Sequence, residues 1–119
     1  MNDPDVDYAR YPSLVDRTVL VTGGADGIGQ AIVEELVRQG SKVAFLDVNR
    51  EKADETHSRC AALDPRHPPR FHEVDLVDIE ATRRAIATAA TGWGGFTVLV
   101  NNAASDDRHT WEEMTPEYW

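Results

Sequence analysis

A chain of 119 residues has room for one domain with one core, and 41% hydrophobic with 28% charged residues is an ordinary globular composition. The net charge of −9 argues against nucleic acid and against an anionic membrane surface as partners. Apolar runs end after four or five residues, too short to span a bilayer.

In chain order, residues 1–16 carry Pro4, Pro12 and scattered acids and read as an acidic, flexible lead-in. No apolar segment follows Met1-Asn2-Asp3-Pro4-Asp5, so this start is not a secretory signal. Residues 17–22 predict the first strand, built on Val19-Leu20-Val21. Gly23-Gly24-Ala25-Asp26-Gly27-Ile28-Gly29 follows at once, with the spacing Gly-x3-Gly-x-Gly, and a helix is predicted over about 27–39 with Gly40 to end it. A strand that turns through glycines into a helix exposes unpaired N–H groups and the positive end of the helix dipole, which together suit a pyrophosphate. Side chains in the turn would hold the phosphates off the backbone.

The second strand, 42–46, ends at Asp47, roughly twenty residues on from the turn, where a carboxylate can accept hydrogen bonds from both ribose hydroxyls of an adenosine. The same charge repels a 2′-phosphate. The glycine turn holds no Lys or Arg, Asp26 adds negative charge, and Arg50 is read as facing solvent early in the next helix. NAD is therefore favoured over NADP.

Asn49 can cap the second helix, whose expected inner face is Ala53, Thr56, His57, Cys60 and Ala61. Cys60 reads as a small buried apolar residue; alone, it excludes an internal disulfide and suits a reducing cytoplasm. Asp64-Pro65 and His67-Pro68-Pro69 stop this helix, and 70–74 predicts the third strand. Asp78 caps a third helix carrying Ile79, Thr82, Ile86 and Ala89, which ends near Gly92 and Gly94-Gly95. Residues 96–100 predict the fourth strand. Short continuous apolar strands alternating with helices mean a parallel sheet covered on both faces, with right-handed crossovers. The predicted strand order is 3-2-1-4.

Thr115-Pro116-Glu117 is a helix-start signal two residues before Trp119. A helix that has only begun, after a fourth strand left as an apolar edge, implies a domain interrupted beyond its fourth strand. The histidines His57, His67, His72 and His109 lack ligand spacing, so Asp106, Asp107 and His109 read as a solvated loop and no metal site is expected. Trp93 and Trp111 read as packing residues.

With the glycine turn, Asp47, Asp75-Leu76 and Asn101-Asn102-Ala103-Ala104 in this order, the chain resembles the short-chain dehydrogenase/reductase family from Arg17 to Trp119. The resemblance implies an α/β fold, the first half of a Rossmann-type doubly wound sheet, with 17–119 an incomplete NAD-binding domain. It implies that the backbone at Gly23, Gly27, Ile28 and Gly29 holds the adenosine ribose and pyrophosphate, with Asp26 counted among the cofactor residues. Asp75 and the Leu76 amide would meet the adenine edge, and Asn101, Asn102 and Ala103 would line the cofactor ribose. Ala104 stands where the family has glycine, so its backbone angle must be one that alanine adopts.

Plainer readings stand beside these: the glycine turn as a merely structural strand–helix turn, Asp47 as a solvated strand-end acid, Asp75 as a turn cap, Asn101 and Asn102 as turn residues. Tyr11-Pro12-Ser13-Leu14, Phe45-Leu46-Asp47, Asp106-Asp107-Arg108-His109 and Tyr118-Trp119 further resemble bacterial sugar dehydrogenases of the family, which oxidise aldoses such as xylose. The family's catalytic serine, Tyr-x-x-x-Lys pair and asparagine have no counterpart: Pro12 follows Tyr8 and Val15 follows Tyr11 at the lysine spacing. The expectation is a cofactor-binding half with no catalytic residue, and with the family's homo-oligomer contacts largely outside these residues. A stand-alone dinucleotide-binding module and a non-functional remnant are the alternatives.

Overall fold

The structure is a computed structural model that describes residues 9–104 and 115–117. A short 3-10 helix, Pro12–Leu14, is followed by β1 (Thr18–Thr22), α1 (Gly27–Arg38), β2 (Lys42–Asp47), α2 (Arg50–Ala61), β3 (Arg70–Glu73), α3 (Ile79–Ala89) and β4 (Val98–Asn101). All strand pairs are parallel, in the expected order β3-β2-β1-β4. The chain steps outward from β1 to β3 and then returns to lay β4 on the other side of β1. That reversal between β1 and β4 is where open α/β sheets bind ligands.

Both faces of the sheet are covered, which is why the strands read as continuous apolar runs. Along β1, Val19 and Val21 face a core shared with Val33 and Val37 of α1, Ala53 and Cys60 of α2, and Phe45 of β2. Leu20 faces the opposite core, with Ala44, Leu46, Val74 and Ala89, against which Ala81, Ala85 and Ile86 of α3 pack. The helix starts follow their caps: Asn49 accepts from the Lys52 N–H and Asp78 from the Ala81 N–H, each at 3.0 Å. Arg70 fastens the other end of α3, donating to the Ala89 and Thr91 carbonyls while stacking 3.8 Å from the Trp93 ring centre.

Several expected boundaries and faces differ. β1 starts at Thr18, β2 runs on to Asp47, and β3 stops at Glu73. β4 begins at Val98 rather than 96, because Phe96 turns edge-on against Trp93 and so leaves the strand path. On α2 the buried stripe is Ala53, Thr56 and Cys60, while His57 and Ala61 are exposed. At 100° per residue, those two fall on the outer flank of a stripe narrow enough to wedge beside α1. On α3, Ile79 is 63% exposed: it is the first residue of the helix, ahead of the Ala81, Ala85 and Ile86 positions that pack on the sheet. Leu99 of β4, laterally paired with Leu20 on the α3 side, is 62% exposed. Thr115–Glu117 form a turn, and the helix expected to follow, with Asp106, Asp107, His109 and Trp111, lies outside the described residues.

The described part of the lead-in is laced to the α1–β2 turn. Gln39 accepts from the Tyr11 N–H and donates to the Ala9 carbonyl, and Ser41 donates to the Leu14 carbonyl. Asp16 pairs with both Arg66, through two bonds of 2.8 and 3.2 Å, and His67 at 2.6 Å. Hydrogen bonds from Arg66 and then His67 hold the Asp16 carboxyl down to about 2. Its unfolded value is near 3.8, so this tie is complete above that pH and is lost as pH falls toward 2.

Cys60 is the single cysteine of the chain and is buried. Burial, and next the charge of Glu34, pushes its thiol up to about 12, far from the reactive thiolate. Its alkylation should therefore require opening of the α1–α2 layer. The expected result is a labelling rate in native buffer about a hundredfold or more below that in denaturant, as for a group reached only by opening; equal rates would show that the layer is not closed.

Candidate functional site

Between β1 and α1 the backbone passes through Gly23, Gly24, Ala25 and Asp26. Asp26 turns its carboxylate onto its own helix start, accepting from the Gly27 N–H at 2.9 Å. Two glycines there are required for different reasons. At Gly29 a Cβ would overlap the Gly23 carbonyl oxygen outright and stand 2.7 Å from Asn102 Nδ2, so the helix can approach β1 and β4 this closely only without one. At Gly27 φ is +58° and a Cβ would meet nothing within 4 Å. The space in front of this backbone is open, and Ile28 beside it is 75% exposed.

Ala25 is clamped from both sides. Its N–H donates to Asp47 Oδ2 at 3.1 Å, and its carbonyl accepts from the Thr56 hydroxyl at 2.9 Å. Thr56 is fully buried, and its hydroxyl in turn accepts from Gln30 Nε2 at 3.0 Å. The described residues contain no cis peptide bond. With the Ala25 carbonyl drawn inward to Thr56, the trans geometry of the next peptide aims the Asp26 N–H the other way. A side chain on α2 thereby sets the direction of a donor in the turn. Spacing alone marks Thr56 as part of an inner face and gives no sign of Gln30; a hydroxyl among the apolar positions of a buried stripe is the one available signal.

Asp47 ends β2, with Oδ2 on the Ala25 N–H and Oδ1 accepting from the Asn49 N–H at 3.1 Å. Two backbone donors fix the carboxylate at the strand tip beside the turn. Glu73 is its lateral neighbour on β3.

Thr22, the last residue of β1, joins the turn to β4. Its hydroxyl lies 3.3 Å from Asn101 Oδ1 and accepts from the N–H groups of Asn102 and Ala103, each at 3.0 Å. Asn102 Nδ2 donates to the Gly23 carbonyl at 3.1 Å. Gly23, Gly29, Asn101, Asn102 and Ala103 are thus brought together across the β1–β4 reversal. Thr22 was not among the candidate residues, because its partners lie about eighty residues away. Ala104 is not among the residues with positive φ, so alanine fits there without strain. Asp75 sits in the loop after β3 and, among the described residues, bonds only within that loop: Oδ1 accepts from the Val77 N–H at 3.0 Å. Leu76 packs its side chain against the α3-side core.

What this arrangement can do is hold an extended anionic ligand along one edge of the sheet. N–H groups and an open backbone face lie at its centre, a fixed carboxylate on the β2 side and a strapped asparagine segment on the β4 side. Among the described residues no helix is long and apolar enough to cross a membrane.

The family model for short chain dehydrogenases matches residues 17–119. The chain is 45% identical to a probable galactose dehydrogenase of Rhizobium meliloti (strain 1021) over 93% of its own length and 43% of the relative's. It is 38% identical to a D-xylose 1-dehydrogenase of Caulobacter vibrioides, over 93% of its own length and 42% of that protein. It superposes on the crystal structure of a short chain dehydrogenase from Mycobacterium smegmatis with a TM-score of 0.80 at 27% identity, covering 96% of this chain and 48% of the other. The chain thus spans less than half the length of these relatives. A family match over the whole sheet, joined to a β1–α1 glycine turn strapped to β4, places this chain in the short-chain dehydrogenase/reductase family.

Proposed function

We propose that the chain is the NAD(H)-binding part of an oxidoreductase that interconverts a hydroxyl and a carbonyl group, with an aldose as the substrate class. The observation that carries this reading is the Asp47 carboxylate, fixed by two backbone N–H groups at the β2 tip and bonded through Ala25 to the turn whose Gly27 face is open. A carboxylate so placed accepts from the ribose hydroxyls of NAD and repels the extra phosphate of NADP. The Asp26 and Ile28 N–H groups, on either side of the open Gly27 backbone at the start of α1, would meet the pyrophosphate. Asp75 and Leu76 would border the adenine, and Asn101, Asn102 and Ala103 the second ribose. The sugar assignment follows the two relatives named for galactose and D-xylose.

Bound there, NAD supplies a hydride acceptor. The residues of this chain bind and orient it, but no tyrosine among them is followed four residues later by lysine, so no base is held at the substrate hydroxyl. The alternative reading is a dinucleotide-binding module that does no chemistry of its own.

The test is a fluorescence titration of the 119-residue chain with NADH and NADPH, followed by incubation with NAD and galactose or xylose. NADH should bind about tenfold or more tighter than NADPH, and Asp47→Ala should weaken NADH by a similar factor, the scale of one charge-assisted hydrogen bond. No NAD should be reduced. Equal affinity of the unmodified chain for both dinucleotides would remove the role given to Asp47, and sustained reduction would remove the binding-only reading.

A further inference from the structure

Arg50 is the cation nearest in sequence after Asp47, and it occupies the first position of α2. A positive charge there is opposed by the helix dipole, so its placement needs another partner. The structure provides two. Arg50 Nε lies 3.5 Å from Glu73 Oε2, and its guanidinium carbon lies 5.3 Å from the centre of the Phe71 ring. Phe71 and Glu73 are two residues apart on β3, hence on one face of that strand, and Glu73 is the lateral partner of Asp47. The guanidinium is drawn along this strip of β3. In dinucleotide sites an arginine near the β2 tip is the group that accommodates a 2′-phosphate.

We propose, resting on the NAD reading above, that Glu73 is a positioning residue for cofactor choice. It holds Arg50 on Phe71 and so withholds this guanidinium from a 2′-phosphate beside Asp47. Asp47 excludes the phosphate by its own charge, while Glu73 removes the counter-charge that would readmit it. Both partners of the pair are partly exposed, at 62% and 43%, so the hold is modest and its release should be worth about threefold to tenfold in affinity.

The experiment is a double-mutant cycle on the 119-residue chain, with dissociation constants for NADH and NADPH read by fluorescence and folding checked by thermal melts. Glu73→Gln should tighten NADPH by about threefold to tenfold, leave NADH within about twofold, and steepen the salt dependence of NADPH binding alone. Arg50→Ala alone should give no NADPH gain, and at most a weakening of about twofold from the bared Glu73 charge, because Arg50 is already withheld. In the pair Arg50→Ala with Glu73→Gln the NADPH gain should disappear. A gain that survives Arg50→Ala would overturn the proposal, since it would reflect only the loss of a carboxylate beside Asp47. So would an equal change for both dinucleotides, or none. Failure of the NAD reading itself would show earlier, as equal or absent binding by the unmodified chain, and this proposal would fall with it.

Discussion

Gly29→Ala should abolish NADH binding and lower the melting midpoint by about 10 °C or more, the scale of an overpacking cost near 3 kcal/mol in a small domain. The added methyl group would meet the Gly23 carbonyl, and neither side can give way: Gly23 is continuous with β1, and its carbonyl is held by Asn102. Relief would require α1 to pull away from the sheet, opening the layer that buries Val33 and Val37. Gly27→Ala is the informative partner. A Cβ there meets open space, so the cost is the left-handed backbone alone, about 1–2 kcal/mol. Its methyl group would nevertheless stand where phosphate must approach the backbone, so binding should fall far more than stability. Circular-dichroism melts and NADH titrations of the two variants separate these outcomes. A Gly29→Ala chain that melts like its parent would show that the close approach of α1 is not real.

Thr22→Val should destabilise the chain by about 1–2 kcal/mol, because it takes the shared acceptor from the part-buried Asn102 and Ala103 N–H groups, a loss that water at the exposed Ala103 only partly makes good. The replacement keeps the shape and β-propensity of the strand residue, so the loss isolates the hydroxyl. Thr22→Ser, which retains the acceptor, should recover most of it. Urea unfolding read by tryptophan fluorescence measures both, and equal midpoints for the two variants would mean that the hydroxyl holds nothing. The same substitution should weaken NADH, since the asparagine segment would no longer be strapped to the glycine turn.

Elements whose causes are local are legible in the sequence. Asn49 and Asp78 cap helices by bonding to residues three positions on, and the four strands announce themselves by continuous apolar runs. Gly23 and Gly29 stand out because glycine is constrained where a strand turns into a helix, and Asp47 because it ends a strand beside that turn, whereas Asn102 is legible only through the family resemblance. What stayed hidden depends on partners distant in the chain. Thr22 and Thr56 look like ordinary strand and helix residues until folding sets them against Asn102 and Ala25. The rotation of a helix about its axis is hidden for the same reason. His57 and Ile79 are exposed because of how each helix is turned on the sheet, and spacing within their own helices carries no record of that.

The Thr22–Asn102 strap has a kinetic consequence. It joins residues eighty positions apart, whereas β1 and β2 pair at a separation of only twenty-four, as between Thr18 and Lys42. Closing the longer loop costs only about 1 kcal/mol more. It nevertheless needs the intervening β2–α2–β3–α3 units to be out of the way or already packed, so docking of β4 should be a late event in folding. A ligand cradle completed by that late event cannot template the earlier ones. Dinucleotide added during refolding should then leave the folding rate unchanged and slow unfolding instead, acting as a lock on a finished sheet rather than as a seed for it.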